Sequence, residues 1–473
     1  MICVSLQSRT VEQAVEEMSQ AASIGAALAE IRADYLENPT RLSEIVLRRS
    51  LPLIVTMRPI REGGRWQGGE EERFHILEEA CRSGAEYVDV EWNSFRDFPR
   101  HSAQLILSHH DFEGVPADFD SIAASMARVA TAIVKWAVRA VATADLLLCV
   151  RIQKRLGARG LVVAMGELGE PLRVLACRYG ALWTYASLRH GAETAPGQVP
   201  VADLVRLYEV GRISPQTRVY GVLGRPVSHS KGPLLFNPAF RALQMDARYV
   251  RVSWDDPALL RNLFSELELS GASVTLPHKE AAWAGVDERD SAAQGIGAVN
   301  TIVCREGKLT GFNTDALGAA EAVGNCEGKR VLVLGAGGAA RAIAWGLVRG
   351  GARITIANRS IDRARALAEI VGGATVEWDR RGTAEAEVVV NATSVGMESD
   401  ESPYPAERWR TGMRAFDAVY TPRWTRFLRE AKAAGVETVQ GLEMFLRQAD
   451  RQFEIFTGRR IPESLLREFR DHP

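Results

Sequence analysis

A lysine interrupts an otherwise apolar stretch at residues 132 to 140, AIVKWAVRA. The β-branched, aromatic and small apolar residues around it argue for a strand covered on both faces, where an unpaired ammonium is costly. Lys135 is then either a snorkelling or ion-paired lysine, or an amine whose pKa burial lowers until it can act as a nucleophile near neutral pH. Near the ends of the neighbouring apolar segments stand Glu30 and Arg32, then Arg58, then Glu91, then His109 and His110. Singly, each has an ordinary structural role, such as a solvated strand end or a carboxylate partner. Jointly, an amine, an imidazole and a carboxylate on adjacent strands suit imine chemistry at a ketone. Lys135 attacks the carbonyl, the protonated imine acidifies the next carbon, and His110 moves the proton while Glu91 orients it.

A second constellation lies far along the chain. GAGGAAR, residues 335 to 341, follows an apolar strand and opens an amphipathic helix, so Gly335, Ala336, Gly337, Gly338 and Ala339 can bring backbone amides to a pyrophosphate. The next strand, RITIANRS, ends without the acid that would hold a ribose 2′-hydroxyl and offers Asn358, Arg359, Ser360 and Arg363 instead. Two arginines suit a 2′-phosphate, which points to NADP over NAD. Before this unit lie GRPVSHSKGP, SVTLPHKE, GAVNT and GFNTD, rich in hydroxyl and amide groups that suit a small polyhydroxylated substrate. Lys279 and Asp315 could pass a proton to and from a hydroxyl while hydride moves. Without those neighbours an ordinary surface ion pair would be the simpler reading.

Residues 1 to 213 alternate eight short apolar segments with amphipathic helical ones, the pattern of a (β/α)8 TIM barrel whose catalytic side chains sit at the C-terminal strand ends. The polar stretch SPQT places a boundary near residue 215. Mixed strands and helices follow over 217 to 316, completed by 441 to 473, and a Rossmann unit spans 317 to 440. The fold class is α/β throughout. The 58 basic and 59 acidic residues leave a formal net charge of -1, so no global field draws the chain to nucleic acid or an anionic membrane. Only seven lysines occur beside many arginines, and Arg cannot lose its proton as Lys can, which favours a chemical reason for Lys135. Six scattered cysteines, with no C-x-x-C, argue against a disulfide framework or a zinc knuckle; no metal is called for. An N-terminus that soon turns polar, and the absence of any membrane-length apolar run, place the protein in the cytoplasm.

Residues 1 to 213 resemble the type I 3-dehydroquinate dehydratases in EIRADYL, TMRPIREGGRWQGGEEER, VDVEW, SHHDF, AIVKWAV and TAPGQVPVADL. The resemblance implies Lys135 as Schiff-base lysine, His110 as general acid and base with Glu91 as its partner, and substrate contacts at Glu30, Arg32, Arg58, Arg173, Thr194 and Gln198. Thr194 stands where the family often has Ser. Residues 217 to 473 resemble shikimate dehydrogenase, through the motifs above and NATSVGM, FDAVY and GLEMFLRQA. That implies Lys279 and Asp315 as catalytic pair, with Ser228, Ser230, Thr275, Asn300, Tyr420 and Gln448 on substrate, and Thr393 and Gly441 on the cofactor. The expected small molecules are 3-dehydroquinate, 3-dehydroshikimate and shikimate. Two departures stand out: Ser273 stands where the family motif N-V-T-x-P-x-K usually begins with Asn, and Gly232 stands where S-K-S-P usually has its second Ser. Gly232 would remove a donor and open space beside the substrate carboxylate, allowing a side activity on quinate. A class I aldolase, or one half serving only as a scaffold, are the rival readings.

Overall fold

The computed structural model describes residues 1–129 and 132–472. The chain forms two compact units, Met1–Leu269 and Ser270–Pro473. Eight parallel strands open the first: β1 (Ile2–Leu6), β2 (Leu28–Arg32), β3 (Leu53–Thr56), β4 (Tyr87–Glu91), β5 (Gln104–Asp111), β6 (Ala132–Arg139), β7 (Gly160–Met165) and β8 (Thr184–Ser187). Seven are buried along most of their length and β5 over Leu105–Ser108, as expected of strands with side chains inside and helices outside. Loops with positive-φ glycines reset the chain between units; Gly25, at φ 121°, ends the first helix, whose start Thr10 caps by accepting from the Gln13 amide. The sheet runs β7-β6-β5-β4-β3-β2-β1-β8 and ends on the two-residue β9 (Val199–Pro200). The barrel is therefore curled rather than laddered all the way round. Between β7 and β8, Leu161 to Val163 and Trp183 to Tyr185 line a small cavity with Leu172 and Arg173. Side chains, not hydrogen bonds, fill that gap.

The first compact unit extends past the barrel. It continues through β10 (Arg218–Gly224), the helix Gly232–Ala242, β11 (Ala247–Ser253) and the helix Leu260–Glu266, with β10 and β11 parallel. These residues are tied to the barrel by many polar links. Asp255 accepts from the Thr143 amide and hydroxyl, and Glu268 pairs with Lys154 and Arg178.

In the second unit β12 (Leu269–Val274), starting at the division, pairs antiparallel with β14 (Thr301–Arg305), which pairs with β15 (Lys308–Phe312), which pairs with β13 (Glu288–Arg289). A six-stranded parallel sheet follows, in the order β18-β17-β16-β19-β20-β21. Its strands are β16 (Arg330–Leu334), β17 (Arg353–Asn358), β18 (Ala374–Glu377), β19 (Val388–Asn391), β20 (Arg414–Asp417) and β21 (Glu437–Val439). The order reverses between β16 and β19, the place where such sheets bind ligands.

Candidate active sites

Glu30, Arg32, Arg58, Glu62, His110, Lys135, Arg173, Tyr185, Thr194 and Gln198 line one pocket of about 590 Å³ at the C-terminal ends of the barrel strands. Lys135, 5% exposed, does not carry a free amine. Its Nζ donates to Glu30 Oε1 at 3.0 Å and to Asp89 Oδ2 at 2.9 Å, and lies 4.5 Å from the centre of the Tyr185 ring. Burial opposes the charge, but Asp89 and Glu30 outweigh it and raise the pKa, the reverse of the lowered value expected from the sequence. Two carboxylates on neighbouring strand positions decided this, and neither the apolar run nor its spacing announces them.

A second correction concerns the histidine's partner. Glu91 is fully buried between two arginines, accepting from Arg58 at 2.7 Å and Arg73 at 2.6 Å. It lies in register with Ser108, two residues short of His110. The group at His110 is Glu62, its Oε2 3.0 Å from Nδ1. Burial pushes Glu62 up to about 7 and pushes His110 well below the usual imidazole value, so the pair holds a neutral ring. Glu62 lies four residues after Arg58 in RPIREGG, in a connection between strands where no strand period marks it. Asp89, also missed, shares the face of β4 with Glu91 through the two-residue strand period. His109 turns to the outer face, its ring 4.6 Å from Trp136.

The pocket's cations are unequal. Arg58 is saturated by Asp89, Glu91 and the Ser108 hydroxyl, and Arg32 makes a two-pronged pair with Asp34. Arg173 donates Nη2 to the Pro196 carbonyl at 3.1 Å, while its buried Nε and Nη1 have no partner among the described residues. Burial alone lowers its pKa to about 10. A buried guanidinium short of acceptors is a place for an anionic group. Beside it, Gln198 exchanges hydrogen bonds with Thr194, so the hydroxyl at 194 shapes the loop as well as lining the pocket.

In the second unit Lys279 Nζ donates to Asp315 Oδ2 at 2.5 Å. Asp315 opens the helix Asp315–Val323, whose N-terminal dipole favours a carboxylate. Asn300, 1% exposed, accepts from the Thr314 amide at 2.9 Å and donates to its hydroxyl at 3.0 Å, and Gln448 stands 3.4 Å from that hydroxyl. Thr275 is half-buried before Lys279, and Tyr420 stacks on Phe445. Ser273 donates to Gln452 at 2.7 Å, so this departure is spent on helix packing. Ser228 and Ser230 belong to the first unit, in the loop between β10 and its helix. There the expected space beside Gly232 is filled: a Cβ would stand 2.7 Å from the Tyr249 ring.

The glycine loop fits a dinucleotide. Gly335, at φ 113°, brings the chain against Ala392 and Thr393, and a Cβ on Gly337 or Gly338 would meet nothing within 4 Å, a hollow at the start of the helix Gly338–Arg349. Ala336 and Ala339 flank it. Beyond β17, Asn358 donates to the Ser360 carbonyl and Ser360 caps the next helix. Arg359 and Arg363 are exposed, with no ion-pair partner among the described residues. Gly441 is different: three carbonyls, of Asp417, Ala418 and Val419, lie within 2.8 Å of a Cβ there, so close packing alone requires glycine.

Family models match in the same order. Type I 3-dehydroquinase covers residues 2–215, the shikimate dehydrogenase substrate binding domain 222–302, shikimate / quinate 5-dehydrogenase 318–398, and the shikimate 5′-dehydrogenase C-terminal domain 441–468. A bifunctional 3-dehydroquinate dehydratase/shikimate dehydrogenase, chloroplastic, of Arabidopsis thaliana is 38% identical over 98% of this chain and 83% of its own. The chain belongs to that bifunctional family. Over its second half, the shikimate dehydrogenase (NADP(+)) of Natronomonas pharaonis is 44% identical, covering 53% of this chain and 97% of its own. Among solved structures, shikimate 5-dehydrogenase from Thermus thermophilus, in complex with NADP(H) and shikimate, has a TM-score of 0.50 and 40% identity over 53% of this chain and 97% of its own. Quinate dehydrogenase from Corynebacterium glutamicum, in complex with NAD, has a TM-score of 0.51 and 30% identity over 53% and 98%. Neither an aldolase nor a scaffold half accounts for matches that run through both parts of this bifunctional chain.

Proposed function

We propose that this chain dehydrates 3-dehydroquinate to 3-dehydroshikimate in the barrel and reduces that product to shikimate with NADPH in its second part. The observation that carries this reading is the presence in one chain of a buried lysine with a neutral histidine in one pocket, and of a Lys–Asp pair preceding a dinucleotide loop. In the barrel, the substrate carboxylate pairs with Arg173 and its hydroxyls engage Glu30, Arg32 and Gln198. The Lys135 ammonium must lose its proton before attack, and neutral His110 is the acceptor we assign. Nζ then bonds the ketone carbon, His110 hands the proton it took to the carbinolamine hydroxyl, and water leaves as the imine forms, which restores the neutral ring. His110 removes a proton from the adjacent carbon and returns one to the departing hydroxyl, with Glu62 holding its ring; hydrolysis frees the lysine.

In the second part Lys279 and Asp315 hand a proton to the oxygen that becomes the new hydroxyl, and Asn300, Thr275, Ser228, Ser230, Tyr420 and Gln448 orient the ring. Bound NADPH supplies the hydride. The domain layout we assign is 1–213, 217–316 with 441–473, and 317–440. Six free cysteines suit a reducing compartment such as the cytoplasm, and no helix among the described residues is long and apolar enough to cross a membrane. Incubating the protein with dehydroquinate and NADPH tests the reading, because loss of NADPH requires both activities in sequence.

Cofactor choice follows from the two unpaired arginines. NADP is expected to be preferred over NAD, and Arg359→Ala or Arg363→Ala to cost about ten-fold in kcat/KM with NADP while leaving NAD turnover nearly unchanged. Equal use of both cofactors by the unmodified protein would overturn the assignment. Quinate oxidation rests on narrower ground than the sequence suggested, since Gly232 removes a hydroxyl but the Tyr249 ring occupies the room. A measurable quinate rate that stays below the shikimate rate is expected. Gly232→Ser, which must displace that ring, should lower both rates, and a fall in the quinate rate alone would show that open space was the cause after all.

A further inference from the structure

A short segment after β7 sends polar side chains toward two sites. Arg173, on the helix Glu170–Leu175, lines the barrel pocket with two unpartnered nitrogens. One turn earlier, Glu170 Oε1 accepts from Arg251 Nη1 at 3.2 Å and from the Tyr208 hydroxyl at 2.7 Å. Glu167 Oε1 accepts from the amides of Val227 and Ser228, both at 3.2 Å. Arg251 in turn donates Nε and Nη2 to the carbonyl of Ser230, at 3.1 and 3.0 Å. The loop Val227–Ser230 thus hangs by both ends on the residues that deliver Arg173 to the barrel pocket. The Glu170–Arg251 pair is only 17% exposed on each side, so it is screened less than a surface pair.

We infer that Glu170 and Arg251 are positioning residues for the Ser228–Ser230 loop, and that through them the reductase senses whether the barrel pocket is occupied. The inference rests on the roles proposed above for Arg173 and Ser230. The physical link is the helix itself: a carboxylate that satisfies Arg173 fixes a helix of under two turns, and with it Glu170, Arg251 and the Ser230 carbonyl. Any such coupling is reciprocal, so shikimate on the loop must also favour a ligand on Arg173.

The test uses the full chain. Dehydroquinate and borohydride trap a reduced adduct on Lys135, which fills the barrel pocket, and protein given borohydride alone is the control. Shikimate oxidation with NADP is then followed in both. Trapping is expected to lower the shikimate KM about five-fold with little change in kcat. Glu170→Ala and Arg251→Leu should raise the KM of untreated protein and make trapped and control protein alike, while dehydratase turnover by the untrapped variants reports that they are folded. Arg251→Lys, which keeps the charge but not the fork that reaches both Glu170 and Ser230, should restore the response only in part. Equal KM values for trapped and control unmodified protein would overturn the coupling, and variants with unchanged KM would overturn the positioning role. Absence of an adduct on Lys135 defeats the lyase assignment instead, and the KM of the untreated variants still decides whether the loop is positioned as inferred.

Discussion

Lys135→Arg is expected to abolish dehydration of 3-dehydroquinate and to leave shikimate oxidation within about two-fold of the unmodified rate. A guanidinium keeps the positive charge between Glu30 and Asp89 but cannot form an imine. The retained charge matters, because Lys135→Ala would leave those two buried carboxylates facing each other, a change that costs several kcal/mol and confuses lost chemistry with lost fold. Losing covalent catalysis removes the whole pathway rather than one contribution to it, so the residual rate should fall by at least about 10⁴-fold. Borohydride labelling checks the same point independently: peptide mapping should place the adduct on Lys135 in the unmodified protein and find none in the variant. A label on Lys154 would defeat the mechanism proposed for the barrel.

The second large effect concerns Glu62. Its pKa of about 7 and the depressed His110 value predict an acid limb in the dehydratase profile. The sign follows from the pair. Above pH 7 Glu62 is ionised, His110 Nδ1–H donates to it, and Nε2 is free to take the substrate proton; below pH 7 Glu62 holds its own proton and this orientation is lost. kcat/KM should therefore rise with pH through about 7. Glu62→Gln keeps an acceptor for Nδ1–H but has no charge to stabilise the imidazolium. It should lower kcat about ten- to hundred-fold and abolish that limb. Glu91→Gln should behave otherwise. Stripping the charge from a buried partner of Arg58 and Arg73 should cost stability, about 3–5 kcal/mol, read as a lowered Tm. If instead Glu91→Gln removed the limb and Glu62→Gln kept it, the sequence expectation for Glu91 would be right.

The contrast between these two glutamates marks where sequence reasoning stops. Alternation of apolar strand segments with amphipathic helices, repeated eight times, requires a parallel α/β sheet, because each strand needs cover on both faces and each helix a single apolar stripe. The same periodicity puts Lys135, His110 and Glu91 on strands and points to their C-terminal ends. The glycine loop, its strand and its helix are likewise local, being a matter of φ angles and backbone approach over a few residues, so the cofactor class was readable there. What lies between strands was not. Whether Lys135 is charged depends on Glu30 and Asp89, 105 and 46 residues away in sequence, and the register of neighbouring strands sets their distance from Nζ. Glu62 meets His110 only because its loop folds back over the barrel mouth. Residues 217 to 269 join the barrel's compact unit through Asp255, Arg251 and Glu268, links that no linker composition foretells. Local spacing determines which groups are available; long-range register and loop closure decide which of them meet, and hence which carry charge.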